Sequence, residues 1–436
     1  MIPLQSRRTF FKSATLLAAP AFIPNLRAAS PNGKVRHASI GGGGQAWSDL
    51  GSFASHPDFE LVAVADVDRR AHEQVKAKWP NARCYQSWRD LLATEKDLDS
   101  VNVSIPDHMH GIVTISALNR GLHTYTQKPL AQNLWECRQL MLKAREKKAV
   151  TQMGIQISSD FTERHTVEYI RSGVIGKITA VHTFSNKTWG DPNPVPAQTD
   201  PVPAELDWDS WIGMAAPRPY LNGYYHPGNW RKRRDFGTGT LGDMGCHMFS
   251  GWFRALELHD ILSVKSGGPA PGPDNWAIDG KIEYVFKGTA HTAADKVPVT
   301  WYDGAQRPPQ EVIAQIGGKC PDQGTIYLGT EGILVAQHCS TPMLYPREKF
   351  ADVRPAKLEP RDHYHDFIDS VKAGKPASAN FEYASPLTEA VLLGCLSSAF
   401  PEQTLQWDTA KLIFPDNEAA TKLVRRHYRE GWEFPV

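Results

Sequence analysis

The chain has 436 residues, 41% of them hydrophobic and 22% charged, the balance of an ordinary globular protein. Forty-eight Lys and Arg against 47 Asp and Glu leave a net charge of +1, which gives no ground for a nucleic-acid or acidic-membrane partner. The length favours two domains over one, and no apolar run is long enough to span a bilayer.

The first segment, "SRRTFFK" (Ser6 to Lys12), joins a pair of arginines to two aromatics and a lysine. A modest apolar run from Ala14 to Ile23 follows, then the small residues Ala28 and Ala29. Charged, apolar and small segments in that order are the pattern of a twin-arginine export signal. Pro20 and Pro24 would break the alternative, a buried first helix. We therefore expect a signal over residues 1–29 and a periplasmic or otherwise exported protein with no stable membrane insertion once it is cut. Cleavage after Ala29 would remove Arg7, Arg8, Lys12 and Arg27, so that 44 bases face 47 acids. Six cysteines (84, 137, 246, 320, 339 and 395) show no CxxC and no metal-like spacing, and read as free buried thiols.

Residues 34–157 alternate strand and helix. "VRHASIG", "ELVAVAD", "DSVNVSI", "LHTYTQ" and "AVTQMGI" read as strands, and "RAHEQVKAKW" and "LWECRQLMLKAREKK" as helices. Such alternation predicts a doubly wound α/β domain, a parallel sheet covered on both faces. "SIGGGGQAWSDL" follows the first strand and opens a helix, giving Gly41, Gly43 and Ala46 in a G-x-G-x-x-A pattern, with Gly44 among the expected cofactor-binding residues. Glycines there let the backbone approach a pyrophosphate at a helix N-terminus. About twenty residues on, at the end of the second strand, Asp66 is placed to bind a ribose 2′-hydroxyl. A carboxylate there repels a 2′-phosphate, so the expected cofactor is NAD rather than NADP, with Arg69 and Arg70 close enough to soften the preference.

From residue 158 to 436 the texture changes. A helix, "TERHTVEYIRSG", and a strand, "KITAVHTFSNK", lead into the loop "DPNPVPAQTDPVPAELDWDSW". "KIEYVF", "EVIAQIG", "GTIYLG" and "ILVAQ" read as strands, and helices return at "DHYHDFIDSVKAG" and "PLTEAVLLGCLSSAF". This predicts an α+β domain with a largely antiparallel sheet. Within it, "TLGDMGCHMF" sets Asp243 and His247 four residues apart, on one face of a helix, with Gly242 and Gly245 open to a close approach by substrate or nicotinamide. Trp189, Trp208, Trp211, Tyr220, Tyr224, Tyr225 and Trp230 form either a sugar-stacking platform or loop packing. His363 and His365 have no third partner at a metal-ligand spacing, and no metal is expected.

Two stretches carry a family resemblance: "SIPDHMHGIVTISALNRGLHTYTQKPLAQNLWE" (Ser104 to Glu136) and "NWRKRRDFGTGTLGDMGCHMF" (Asn229 to Phe249). They resemble the Gfo/Idh/MocA oxidoreductases, in which a T-P-x-x-x-H stretch and E-K-P are followed by G-D-x-x-x-H. The resemblance implies an N-terminal Rossmann domain, a C-terminal α+β domain with a large open sheet, and NAD(P) chemistry on a sugar or glycoside hydroxyl. It also implies a homodimer or homotetramer formed through that sheet. Lys128 matches the active-site lysine, and Asp243 and His247 the acid and histidine. Pro106 and His110 match the loop near the nicotinamide, and Trp230 and Arg231 a W-R pair near the cofactor. Gln127 replaces the usual glutamate and removes a carboxylate beside Lys128.

The residue types agree with that chemistry. Moving hydride off a carbinol needs a base for the hydroxyl proton and a cation for the alkoxide, roles open to His247 and Lys128, with Asp243 orienting the histidine or binding a sugar hydroxyl. An exported enzyme has no free NAD pool. Either a second substrate reoxidises a tightly bound cofactor, or the hydride returns to the same glycoside after C3 oxidation, elimination and water addition. A non-catalytic sugar-binding or redox-sensing protein would have no need to keep all three residues.

Overall fold

The structure is a computed structural model and describes residues 33–436. The twin-arginine segment and its cleavage site lie outside the described residues. Six strands form the first sheet: β1 (Val35–Ile40), β2 (Phe59–Ala65), β3 (Arg83–Tyr85), β4 (Ser100–Val103), β5 (His123–Gln127) and β6 (Thr151–Gly154). All pair in parallel in the order β3-β2-β1-β4-β5-β6, the doubly wound arrangement whose ligand crevice opens at the carboxyl ends of β1 and β4. Ala38, Ala63, Val64, Val101 and Val103 are fully enclosed, as strands covered on both faces must be.

The second sheet has eight strands: β7 (Ile178–Ser185), β8 (Ile261–Ser266), β9 (Lys281–Lys287), β10 (Lys296–Asp303), β11 (Gln323–Gly329), β12 (Ile333–Gln337), β13 (Met343–Tyr345) and β14 (Thr404–Gln406). Their order is β13-β12-β11-β7-β10-β9-β8-β14, antiparallel except where β10 runs parallel to β7. β9 alternates buried Ile282, Tyr284 and Phe286 with more open Lys281, Glu283 and Val285, so one face is core and the other is open. Against the core face lies the helix Gly239–Leu256, through Phe249 and Trp252.

"EVIAQIG" is not a strand. Residues Gln310–Gln315 form a helix behind Pro309, with Val312, Ile313 and Ile316 buried at helical spacing. Proline at the cap position fixes the entry and the apolar residues turn one face inward, so period outweighed β-propensity. Gly242 and Gly245 also differ from expectation. A Cβ at Gly242 would strike Thr238, and one at Gly245 would lie 2.9 Å from Leu241 and 3.0 Å from Val391. Both glycines serve close packing and neither opens the helix to a ligand.

The first domain is completed from far along the chain. The helix His363–Ala373 places Tyr364, Phe367 and Ile368 against Val35, Leu50, Phe53 and Tyr125. The last residues return as well: Phe434 packs on Trp135, the Tyr428 hydroxyl donates to Glu136 (2.9 Å), and Arg89 lies 3.9 Å over the Trp432 ring.

Candidate active site

The glycine stretch folds as a cradle at the end of β1. Gly41 has φ +106° and Gly44 φ +52°, and a Cβ at Gly41 would fall 2.5 Å from the Ser104 carbonyl. The helix Gly44–Phe53 starts behind Gly43 with no side-chain cap, so its first-turn amides are open to an anion. Ala46 is fully buried beneath this turn and packs rather than lines. Just past β2, Asp66 accepts the Gly42 amide (2.8 Å) and the Asp68 amide (2.9 Å). Burial raises its carboxyl, and those two amides work against the rise.

A cavity of about 570 Å³ extends from this cradle. Gly41, Gly43, Gly44, Asp66, Pro106, His110, Gln127, Lys128, Trp230 and Arg231 all line it. Its far wall comes from the second domain, where Ser210, Trp211, His226, Pro227 and Gly228 face back toward the glycines. Glycine turn, uncapped helix start and Asp66 fit a dinucleotide: pyrophosphate at the first and ribose at the last. His110 is tied to the backbone, with its ring nitrogens 2.7 Å from the Pro129 and Ile105 carbonyls.

A segment of the second domain straps the cavity to the first. Arg69 N donates to Glu205 O (3.0 Å), Asp207 N to Val67 O (2.9 Å), and Arg69 Nη2 to Ala204 O (2.6 Å). His226 Nε2 stands 3.3 Å from Asp68, which also holds Arg70 through two-pronged hydrogen bonds. The aromatic cluster is mostly the core of this strap: Trp208 stacks on Trp211 at 4.8 Å, with Tyr220, Tyr225, Trp230 and Phe236 buried around them. Trp189 stands apart.

At the inner end of the cavity Lys128 meets Asp243. Lys128 Nζ donates to Asp243 Oδ1 (2.8 Å) and to the Asp243 carbonyl (2.9 Å). Arg231 Nε reaches Oδ1 at 3.2 Å, Lys187 Nζ reaches Oδ2 at 3.4 Å, and the Trp189 indole donates to Oδ2 at 2.8 Å. Burial alone would raise this carboxyl, but Lys128, Arg231 and Lys187 outweigh it and hold Asp243 well below the usual carboxylate range. Both oxygens are taken, and His247 is not among their partners. Asp243 therefore fixes cations rather than orienting the histidine.

His247 lies one turn further along the helix, beside a smaller hollow of about 30 Å³ that also contains Glu163 and His338. Burial, then the charge of Lys128 and the neighbouring His338, press its imidazole well below the ordinary range, so it stands neutral. Lys187, Asp107, the bond from Trp189 to Asp243 and the Asp68–His226 contact escaped sequence reasoning. Asp107 does line the cavity, with the Thr238 hydroxyl donating to it at 2.7 Å. His363 is engaged with Ser159 and Met153, and His365 with Ser55. No group of three or more His, Cys, Asp or Glu able to hold a metal occurs among the described residues.

Comparison with known proteins adds three kinds of likeness. A family model described as an oxidoreductase family with an NAD-binding Rossmann fold, Gfo/Idh/MocA, matches residues 35–155, and that for its C-terminal alpha/beta domain matches 171–434. A glycosyl hydrolase family 109 protein of Shewanella putrefaciens is 27% identical over 202 residues, 39% of this chain and 44% of that protein. The alpha-N-acetylgalactosaminidase of Shewanella oneidensis is 29% identical over 153 residues, 33% of each. The chain thus matches less than half the length of these curated relatives. The WlbA dehydrogenase from Bordetella pertussis, solved in complex with NADH and UDP-GlcNAcA, shares the fold with a TM-score of 0.61 at 16% identity, over 86% of this chain and 99% of that one.

Proposed function

This chain belongs to the NAD-binding Gfo/Idh/MocA oxidoreductases, and from that membership we propose that it oxidises the C3 hydroxyl of a sugar or glycoside with an NAD that stays bound between turnovers. The observation that carries this reading is Lys128 on the wall of the dinucleotide-sized cavity, clamped by Asp243, which stands one helical turn before the neutral His247 of the adjoining small hollow. When bound, the nicotinamide supplies the hydride acceptor. Lys128 presents an ammonium for the developing alkoxide, and the low-dielectric setting makes that charge effective. His247, neutral, takes the hydroxyl proton. Asp243, kept ionised by its three cations, holds Lys128 and Arg231 in place.

The choice of NAD over NADP rests on Asp66 and on the two arginines beside it. Arg70, which lines the cavity, is bound to Asp68, and Arg69 to the Ala204 carbonyl, so both charges are engaged within the protein. Retention of the cofactor rests on the strap, which must peel from Val67–Arg69 before a dinucleotide can leave. With export through the twin-arginine signal, retention becomes a requirement. The expected dimer or tetramer would use the open face of the second sheet.

A second reading, redox-neutral glycoside hydrolysis, is favoured by the same enclosure together with the names of the curated relatives. C3 oxidation makes the C2 proton acidic, the C1 substituent is eliminated, water adds, and the hydride returns. Incubating the purified protein with a panel of glycosides in deuterated water separates the two. Free sugar carrying deuterium at C2 with no net NADH means hydrolysis. A keto-sugar with accumulating NADH means a dehydrogenase, and neither product overturns both readings.

A further inference from the structure

A run of buried polar side chains lies beneath Lys128, and no step above uses it. Asp49, on the helix Gly44–Phe53, is fully enclosed. Its carboxylate accepts from Gln45 Nε2 (2.8 Å), the Ser104 hydroxyl (2.7 Å), the Tyr364 hydroxyl (2.8 Å) and Gln127 Nε2 (3.1 and 3.0 Å). All four are neutral donors. Behind Ser104 the run continues through Asn102 (2.8 Å) to His37 (2.9 Å). Gln127, the last residue of β5, spends its amide on Asp49 and accepts the Lys128 backbone amide at 3.3 Å. Gly154 on β6 makes the room, because a Cβ there would lie 2.6 Å from the Gln127 carboxamide.

We propose that Asp49 and Gln127 are a co-adapted pair of positioning residues for Lys128, in which the buried charge sits on the helix and so requires an amide on the strand. A glutamate at position 127 would set two carboxylates about 3 Å apart with no cation between them, and such a pair keeps one proton. The amide instead donates to Asp49 and accepts from Lys128 N at once, which fixes the peptide that carries the lysine. The amide standing where the family resemblance implies a glutamate is thus accounted for by its neighbour.

The pair predicts its own pH signature. Of the other titratable groups packed here, two phenols and two imidazoles are shifted out of the range between about pH 5 and 8. Burial pushes the Tyr125 and Tyr364 phenols up and His37 and His363 down to about 4. The Lys128 ammonium is turned to Asp243, and Asp362 caps the helix His363–Ala373. In a Gln127→Glu variant the shared proton raises the folded-state pKa above the unfolded one, so stability is present at low pH and lost as pH rises.

The test uses the full chain in four forms: wild type, Gln127→Glu, Asp49→Asn and the double exchange. Melting is followed from pH 5 to 8, with bound NAD content and single-turnover reduction of that NAD by a glycoside. Gln127→Glu should melt close to wild type at pH 5, fall progressively below it toward pH 8, and reduce NAD about 10- to 100-fold more slowly there. The double exchange should restore a flat pH profile and a rate within about 3-fold of wild type, since amide and carboxylate have only changed places. A Gln127→Glu profile parallel to wild type, or a double variant no better than Gln127→Glu, overturns the proposal. The role in turnover rests on the oxidoreductase reading. If wild type reduces no NAD, that reading fails by itself, while the melting profiles still decide the pair.

Discussion

At the inner end of the cavity one carboxylate, Asp243, carries Lys128, Lys187 and Arg231. Replacing Lys128 by Ala should lower NAD reduction by about 100- to 1,000-fold while cofactor content stays within a few-fold of wild type, because the cation serves the alkoxide and not the pyrophosphate. Equal loss of both would assign Lys128 to cofactor binding. Asp107 offers a pH test. Burial lifts its carboxyl to about 6, against the pull of the Thr238 hydroxyl and of Lys128 and Arg231. A raised folded-state value means stability that is complete below the ordinary carboxylate range and lost as pH climbs through 6, about 3 kcal/mol in all. An Asp107→Asn variant should therefore melt with a flatter pH dependence between about 4 and 8, and parallel curves would show that burial does not penalise the charge. Lys128, Asp243 and Arg231 were legible because each sits in a short motif with its own chemistry. Lys187, Asp49 and the bond from Trp189 to Asp243 were not, since the partners lie 56, 78 and 54 residues away and only the fold brings them together.

Among the elements, parallel strands and their crossover helices read well because an apolar run of fixed length bounded by turn residues has few alternatives. β3, only three residues long, left no such run, and the helix behind Pro309 showed how an apolar heptapeptide can satisfy either period. The strap from residues 186 to 238 was visible only as composition, proline and tryptophan, and its destination was not. His226 tests it. Replacement by Ala removes the contact to Asp68 and should raise the NADH dissociation rate about 10-fold in a fluorescence chase, with the melting temperature within about 2 °C of wild type. An unchanged rate would mean that the backbone contacts of residues 205 and 207 hold the strap alone.

In the whole molecule the two domains are not consecutive beads. The helix His363–Ala373 buries Phe367 and Ile368 completely in the first domain, and a large apolar side chain so buried contributes about 1.5–3 kcal/mol. The last twelve residues add Tyr428, Trp432 and Phe434 to helices laid down three hundred positions earlier. Deleting residues 425–436 should abolish the cooperative melt rather than trim it, because the buried Glu136 then loses the Tyr428 hydroxyl; a single sharp transition near the wild-type temperature would contradict this. The sequence showed both units, yet the boundary near residue 157 divides a chain whose packing ignores it.

That returning tail fixes an order of events during synthesis. A ribosome releases β1 to β6 with the seat of Tyr364 and Phe367 bare and the Trp135 surface uncovered. Apolar faces left open in this way are what chaperones bind and proteases cut. The nucleotide domain thus cannot finish ahead of the rest, and nascent chains arrested before His363 should stay protease-sensitive through strands translated long before. The domain begun first closes only after residues 363–436 have been made.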